Sequence, residues 1–165
     1  MNANTLNVSV SDYLDAHPNP QPIKLACFDV DGTLLGLEGH YSARLKASIK
    51  RIQSLGVKTA IASGRPYFAT RFLWEELGLV DAGVFCTGAQ IYEPKYAKSH
   101  GSHFLPTAIV KQLLKRLRQE DIYYELYTEQ GFYVERNNTP DLLKVHSEHL
   151  RVSPHFMPFD SWLMG

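Results

Sequence analysis

The chain has 165 residues, 44% of them hydrophobic and 21% charged, the values of a globular domain rather than of a disordered or fibrous chain. Its 17 Lys and Arg balance 17 Asp and Glu for a formal net charge of zero, which excludes the broad basic face of a nucleic-acid or anionic-membrane binder. A chain this long buries about 70% of its unfolded surface, so a core forms without disulfide or metal staples.

Residues 1–22 are polar and end in Pro18, Pro20 and Pro22, the composition of a frayed arm. The arm has neither the positive start nor the apolar stretch of a signal peptide, and no window of the chain approaches the roughly 20 apolar residues that span a bilayer. The expectation is a soluble cytoplasmic protein. Ile23 to Val30 then reads as an apolar strand. Ser42 caps a helix over Ala43 to Leu55, with Leu45, Ile49, Ile52 and Leu55 on one face, and Gly56 stops it. Val57 to Ala62 is a second strand, and Pro66 opens a helix that runs to Leu77 and closes at Gly78. Val84 to Cys86 is a third, short strand. Strand, helix, strand, helix, strand with short connections specifies a parallel α/β sheet with right-handed crossovers. A strand as apolar on both faces as Leu25-Ala-Cys-Phe28 is expected in its covered middle. Cys27 and Cys86, too few for a disulfide framework, are expected as buried thiols in a reducing compartment.

From about Glu93 the rhythm changes. Tyr96 to Leu105 reads as extended, and Pro106 and Thr107 open a helix through Glu120 with Ile109, Leu113, Leu114 and Leu117 as its apolar stripe. Tyr123 to Thr128 and Phe132 to Arg136 flank Glu129-Gln130-Gly131 as a hairpin, and Asp141 to Leu150 is a further helix. The organisation expected is an arm over 1–22, an incomplete α/β core over 23–93 and an α+β piece over 94–165.

The chemistry concentrates at strand ends. Asp29-Val30-Asp31-Gly32-Thr33 lies at the carboxyl end of the first strand, where open parallel sheets bind ligands. Strand alternation directs Asp29 and Asp31 to one pocket, and two carboxylates so close call for a divalent cation or a shared proton. Gly32 permits a sharp turn that brings amides close to an anion. Ser63-Gly64-Arg65-Pro66 follows the second strand, 34 residues after Asp29, and offers a hydroxyl and free amides at a helix start, which is phosphate-binding chemistry. Thr87-Gly88-Ala89-Gln90 follows the third strand and could line the same crevice.

CFDVDGTLL, IQSLGVKTAIASGRPYFA and LGLVDAGVFCTGAQIYE together resemble the N-terminal half of a haloacid dehalogenase (HAD) superfamily phosphatase, most of all the Cof-type branch with an α+β (type II) cap. The likeness is strong over Ile23 to Glu93 and a matter of pattern from Pro94 to Leu150. It implies a Rossmann-like, HAD-type sheet, first half only, followed by a partial cap. It also implies a phosphatase acting on small phosphorylated metabolites such as sugar phosphates or phosphorylated cofactors. Asp29 is then the nucleophile that forms an aspartyl phosphate, and Asp31 the general acid and base. Mg²⁺ sits on the Asp29 carboxylate and the Asp31 main-chain carbonyl. Gly32, Thr33, Ser63 and Gly64 hold the phosphoryl oxygens, and Arg65 positions. Thr87 stands where the family usually has Asn. The family's phosphate-binding lysine and later acidic segment follow the cap, and no Gly-Asp-x-x-Asn-Asp-like segment occurs after Glu93. The resemblance thus implies impaired activity, and either a truncated product or a homo-oligomer that covers the open edge of the first strand.

Other signals are weaker. His100-x-x-His103 and His146-x-x-His149 read as surface histidines, the Lys111, Lys115, Arg116, Arg118 cluster as a solvated helix face, and the Tyr123, Tyr124, Tyr127, Phe132, Tyr133 set as cross-strand packing. A non-catalytic remnant that binds metal or phosphate is the alternative reading. A receiver-type signalling module is disfavoured, because it needs its acceptor on a later strand and both acids here lie on the first.

Overall fold

The computed structural model describes residues 10–16, 22–36, 38–135 and 139–163. Strand β1 (Leu25–Phe28) pairs in parallel with β2 (Lys58–Ile61), with Phe28 opposite Ile61. A short helix, α1 (Val10–Ala16), precedes them, so part of the arm is helical. Residues 1–9 and 17–21 of the arm lie outside the described residues.

Helix α2 (Ala43–Ser54) crosses between the two strands. It starts where a side chain satisfies an orphan amide: the Ser42 hydroxyl accepts from the Leu45 amide at 3.1 Å. Its apolar face buries Ile49 and packs Leu45 on the core. Leu55 is a cap residue and exposed, so the buried stripe is shorter than the spacing predicts. Pro66 is extended, and the segment it opens is first a 3₁₀ turn (Tyr67–Ala69) and only then helix α3 (Arg71–Leu77). Gly78, at φ +68°, ends α3 in the left-handed cap that glycine adopts without strain.

Strand β3 (Gly83–Phe85) meets β2 through a parallel bridge, Ala62 to Val84, and through the Ser63 amide, which donates to the Val84 carbonyl at 2.9 Å. It then pairs antiparallel with β4 (Gln90–Glu93), which pairs antiparallel with β5 (Lys98–Ser102). Sequence reasoning missed β4 and began the extended segment at Tyr96, where a 3₁₀ turn lies instead. Val30, Leu34, Leu35, Ile49, Ile61, Leu73, Trp74, Leu77, Leu79 and Phe85 form one buried cluster beneath these elements.

Beyond β5, helix α4 (Thr107–Gln119) buries Leu114, while Ile109 and Leu113 of its predicted stripe remain exposed. The predicted hairpin is present as β6 (Leu126–Tyr127) and β7 (Phe132–Val134); Arg136 lies outside the described residues. Helix α5 (Pro140–Leu150) returns the chain to β8 (His155–Phe156), which joins β7 in parallel, and α6 (Phe159–Leu163) follows. Ala69, Phe132, Val134, Leu143 and Leu150 form a second buried cluster. Arg118 fastens this part together, reaching the Glu135 carboxylate at 2.6 and 2.9 Å and Asp160 at 3.0 Å.

Two expectations are corrected. Among the described residues β1 pairs with β2 alone; on one of its faces Leu25, at 54%, and Cys27 are exposed, while on the other Ala26 and Phe28 are partly buried and Phe28 packs on the core. Cys27 is thus an exposed thiol, and Cys86 is half-buried. No helix among the described residues is long and apolar enough to cross a membrane.

Candidate active site

The parallel pairing of β1 and β2 sends both loops out at one end of the sheet. The Ala62 amide donates to the Phe28 carbonyl at 2.9 Å, which brings Asp29 alongside the start of Ser63-Gly64-Arg65. After Asp29 the chain turns on itself. Buried Val30, Leu34 and Leu35 anchor the turn in the core, and the Leu35 amide donates to the Val30 carbonyl at 2.8 Å. Gly32, at φ +76°, supplies the left-handed residue that the turn requires. Asp29, Asp31, Gly32 and Thr33 are thereby left on the outside, all exposed.

The amides expected to cradle phosphate are not equal. That of Gly32 donates to the Leu35 carbonyl at 2.8 Å and that of Thr33 to the Val30 carbonyl at 3.3 Å. Both amides donate inside the turn. Ser63 is buried, and its hydroxyl oxygen accepts from the Arg65 amide at 3.1 Å, so its proton is left to donate. Gly64 lines the crevice, and a Cβ there would stand 3.6 Å from the Thr87 hydroxyl.

Arg65 is the centre of the arrangement. Its side chain is 7% exposed, its Nε and Nη2 donate to the two Asp31 carboxylate oxygens at 2.9 and 2.6 Å, and its Nη1 donates to the His149 main-chain carbonyl at 2.6 Å. This is the two-pronged fit of a guanidinium to a carboxylate. The Arg65 hydrogen bonds hold the Asp31 carboxyl below its ordinary range, outweighing the upward push of burial. A third loop is tied in by main-chain bonds: the Cys86 amide donates to the Arg65 carbonyl at 3.1 Å and the Thr87 amide to the Ser63 carbonyl at 3.3 Å. Cys86 and Thr87 have positive φ, at 50° and 55°, strain of the kind that gathers at functional sites.

These loops wall one side of a crevice of about 500 Å³. The other side comes from Tyr127, His146, His149 and Leu150. His149 is exposed and His146 partly exposed, in keeping with the surface position expected of them, and α5 sets both in the crevice lining. Their i, i+3 spacing was visible in the sequence, but nothing local says which way the helix faces. Burial, and then the Arg65 charge, hold His149 below its ordinary pKa. His100 pairs with Glu93 at 2.8 Å, away from the crevice. Asp29 stands outside the crevice lining, exposed at the end of β1.

The donors available for Mg²⁺ are few. No group of three or more His, Cys, Asp or Glu side chains among the described residues could hold a metal ion. Mg²⁺, however, commonly keeps several waters and takes only one or two carboxylates, with substrate phosphate completing the shell. The exposed Asp29 carboxylate beside the Asp31 main chain fits that habit. The Asp31 carboxylate does not, because both of its oxygens face Arg65.

The profile of the haloacid dehalogenase-like hydrolases matches residues 26–161. The phosphatase YwpJ of Bacillus subtilis is 27% identical over 129 residues, which cover 78% of this chain and 45% of that protein. The HMP-PP phosphatase of Yersinia pestis is 27% identical over 124 residues, covering 75% and 45%. The solved structure of a haloacid dehalogenase-like hydrolase from B. subtilis superposes with a TM-score of 0.73 at 21% identity, covering 87% of this chain and 57% of that one. The chain spans about half the length of the curated relatives it matches.

Proposed function

Because the chain belongs to the haloacid dehalogenase-like hydrolase family, we propose that it provides the nucleophile half of a cytoplasmic, Mg²⁺-dependent phosphomonoesterase acting on small phosphorylated metabolites. The observation that carries the reading is the convergence of Asp29 and Asp31, leaving β1, with Ser63 and Gly64, leaving the adjacent end of β2. An Asp29 carboxylate oxygen attacks phosphorus, the ester P–O bond breaks, and the leaving oxygen takes a proton from Asp31. Asp31 then removes a proton from water, which attacks the aspartyl phosphate, releases phosphate and restores Asp29. The Ser63 hydroxyl and the Gly64 loop steady the phosphoryl oxygens. The Asp29 carboxylate and the Asp31 main chain would hold Mg²⁺, which would neutralise charge between carboxylate and phosphate.

The sequence after Glu93 contains neither the later acidic segment nor a matching lysine, so these 165 residues are expected to turn over far more slowly than a full-length relative. A second reading, a half-site that binds metal or phosphate without turnover, is favoured by one observation: Asp31 is gripped by Arg65 and cannot donate a proton until that pair parts. Hydrolysis of p-nitrophenyl phosphate with and without Mg²⁺, beside Asp29→Asn, decides between them. Turnover indifferent to both changes defeats the phosphatase reading, and metal binding without turnover selects the second.

A further inference from the structure

Gln90 is buried, at 6% exposed, and its side-chain amide has no hydrogen-bond partner among the described residues. Its main chain is taken up by the sheet, with Phe85 of β3 opposite on one side and Ser102 of β5 on the other. An amide withdrawn from water with nothing to answer it is unfavourable. Gln90 lines a cavity of about 150 Å³, which shares Cys86 and Tyr127 with the crevice but none of Asp31, Gly64 or Arg65. Because the main chain is paired, what Gln90 presents to this cavity is its side chain.

The cavity lies where the loop after β3, the connection from β5 to α4 and the β6–β7 hairpin meet. Three of its other polar groups are engaged. Glu129 accepts from the Ser102 hydroxyl at 2.6 Å, the Tyr127 hydroxyl donates to Glu125 at 2.8 Å, and the Thr128 hydroxyl accepts from the Gln130 amide at 3.1 Å. Recognition is left to the Gln90 amide and the exposed His103 ring. A carboxamide offers a donor and an acceptor side by side, whichever way it is turned. Its complement is the same pair reversed: an N–H next to a C=O, held cis as in a lactam ring. The volume admits about one six-membered ring, and Phe104, 63% exposed, offers it an aromatic face. No Lys or Arg lines the cavity and Glu129 does, so a phosphate-bearing compound finds no counter-charge there. We propose that this cavity is a second binding site, for a small uncharged ring whose adjacent N–H and C=O pair with the Gln90 amide.

The test uses the whole chain and 2-pyridone, a single ring with that edge, against N-methyl-2-pyridone, which keeps the ring and the carbonyl but has lost the N–H. Titrations are followed by ¹⁵N NMR of the Gln90 side-chain amide and the Phe104 main-chain amide. The expected result is a saturable shift of both with 2-pyridone, at a Kd of about 1 mM, ordinary for a ligand of about seven heavy atoms. N-methyl-2-pyridone binds about tenfold more weakly, the worth of one lost hydrogen bond. Gln90→Leu, read at Phe104, weakens 2-pyridone by about tenfold and brings the two compounds level. The absence of a saturable shift leaves solvent to satisfy the amide and overturns the site, and so does equal affinity of the wild type for the two compounds. Neither outcome needs the variant, so a Gln90→Leu chain that fails to fold leaves the test intact. A folded Gln90→Leu that binds 2-pyridone as tightly as the wild type overturns it as well. Turnover enters none of these measurements, so the site stands or falls apart from the phosphatase reading.

Discussion

Arg65 and Asp31 are joined by two hydrogen bonds, at 2.6 and 2.9 Å, across 34 residues of sequence. The same guanidinium caps the last turn of α5 through the His149 carbonyl at 2.6 Å, so one side chain links the β1 loop, the β2 loop and the helix that closes the crevice. The nearly buried arginine supplies rigidity to the pair, while Asp31 remains half-exposed.

The first prediction concerns the titration of this pair. Asp31 is held below its ordinary value chiefly by its hydrogen bonds to Arg65. A depressed folded-state pKa means that the folded chain binds the proton less readily than the unfolded one. The stability the pair contributes is therefore present at neutral pH and is lost as pH falls through the lowered value. Because Asp31 is half-exposed, the contribution is at most about 1 kcal/mol. Carbon-detected NMR of the Asp31 carboxyl is expected to give a midpoint below the ordinary value of about 3.9, which rises in Arg65→Met. An equal midpoint in both proteins contradicts the geometry.

Thr87 offers a test of strain. At φ 55° it occupies the left-handed region, which is uncommon for any side chain and worst for a β-branched one. Asn tolerates this conformation through its short polar side chain. Thr87→Asn is expected to stabilise the protein by about 0.5–1 kcal/mol in urea unfolding. A lower midpoint would show that the Thr87 side chain contributes more to the loop than its backbone costs.

What the sequence made legible was local. Ser42 as a helix cap, Gly78 as a helix stop, and the two loops of Asp29-Val-Asp-Gly-Thr and Ser63-Gly-Arg-Pro at strand ends depend on residues within a few positions of one another, and the structure has them there. What it hid was set by distant pairing. The Arg65 to His149 contact spans 84 residues, β8 joins β7 in parallel across α5, and β3 turns back antiparallel after a single bridge to β2. None of these leaves a periodicity in the chain. The exposure of Cys27 was missed for the same reason: an apolar run does not say whether both faces of the strand are covered.

Gly83 is a third point of attack, this time in the core. A Cβ at this position would lie 2.7 Å from Phe85 Cζ, 2.9 Å from Trp74 Cζ2 and 3.0 Å from the Ile61 carbonyl oxygen. Two of these atoms belong to rings packed in the main cluster and the third to the backbone of β2, so none moves freely. Gly83→Ala is expected to cost about 1–3 kcal/mol by overpacking, read as a lower thermal midpoint. A neutral substitution would mean that β3 and β2 are less tightly apposed than described.

The last prediction concerns the free edge of β1. Its ladder to β2 occupies one edge and, among the described residues, no strand pairs with the other; one face of the strand exposes Leu25 and Cys27, and Ile23 before it is 72% exposed. An uncovered apolar strand edge recruits another strand, and a second copy of the chain is the partner always present in a purified sample. Sedimentation is expected to show concentration-dependent association that Leu25→Lys, a charge on the edge strand, suppresses. Thiol labelling gives an independent measure. Cys27 is open in a single copy, whereas burial pushes the Cys86 thiol up and slows its reaction. At low concentration the disulfide reagent should modify Cys27 well before Cys86, and raising the protein concentration should protect Cys27 in the wild type but not in Leu25→Lys. Association that leaves Cys27 equally reactive would place the contact elsewhere on the molecule, and a monomer at every concentration would remove the edge as its cause.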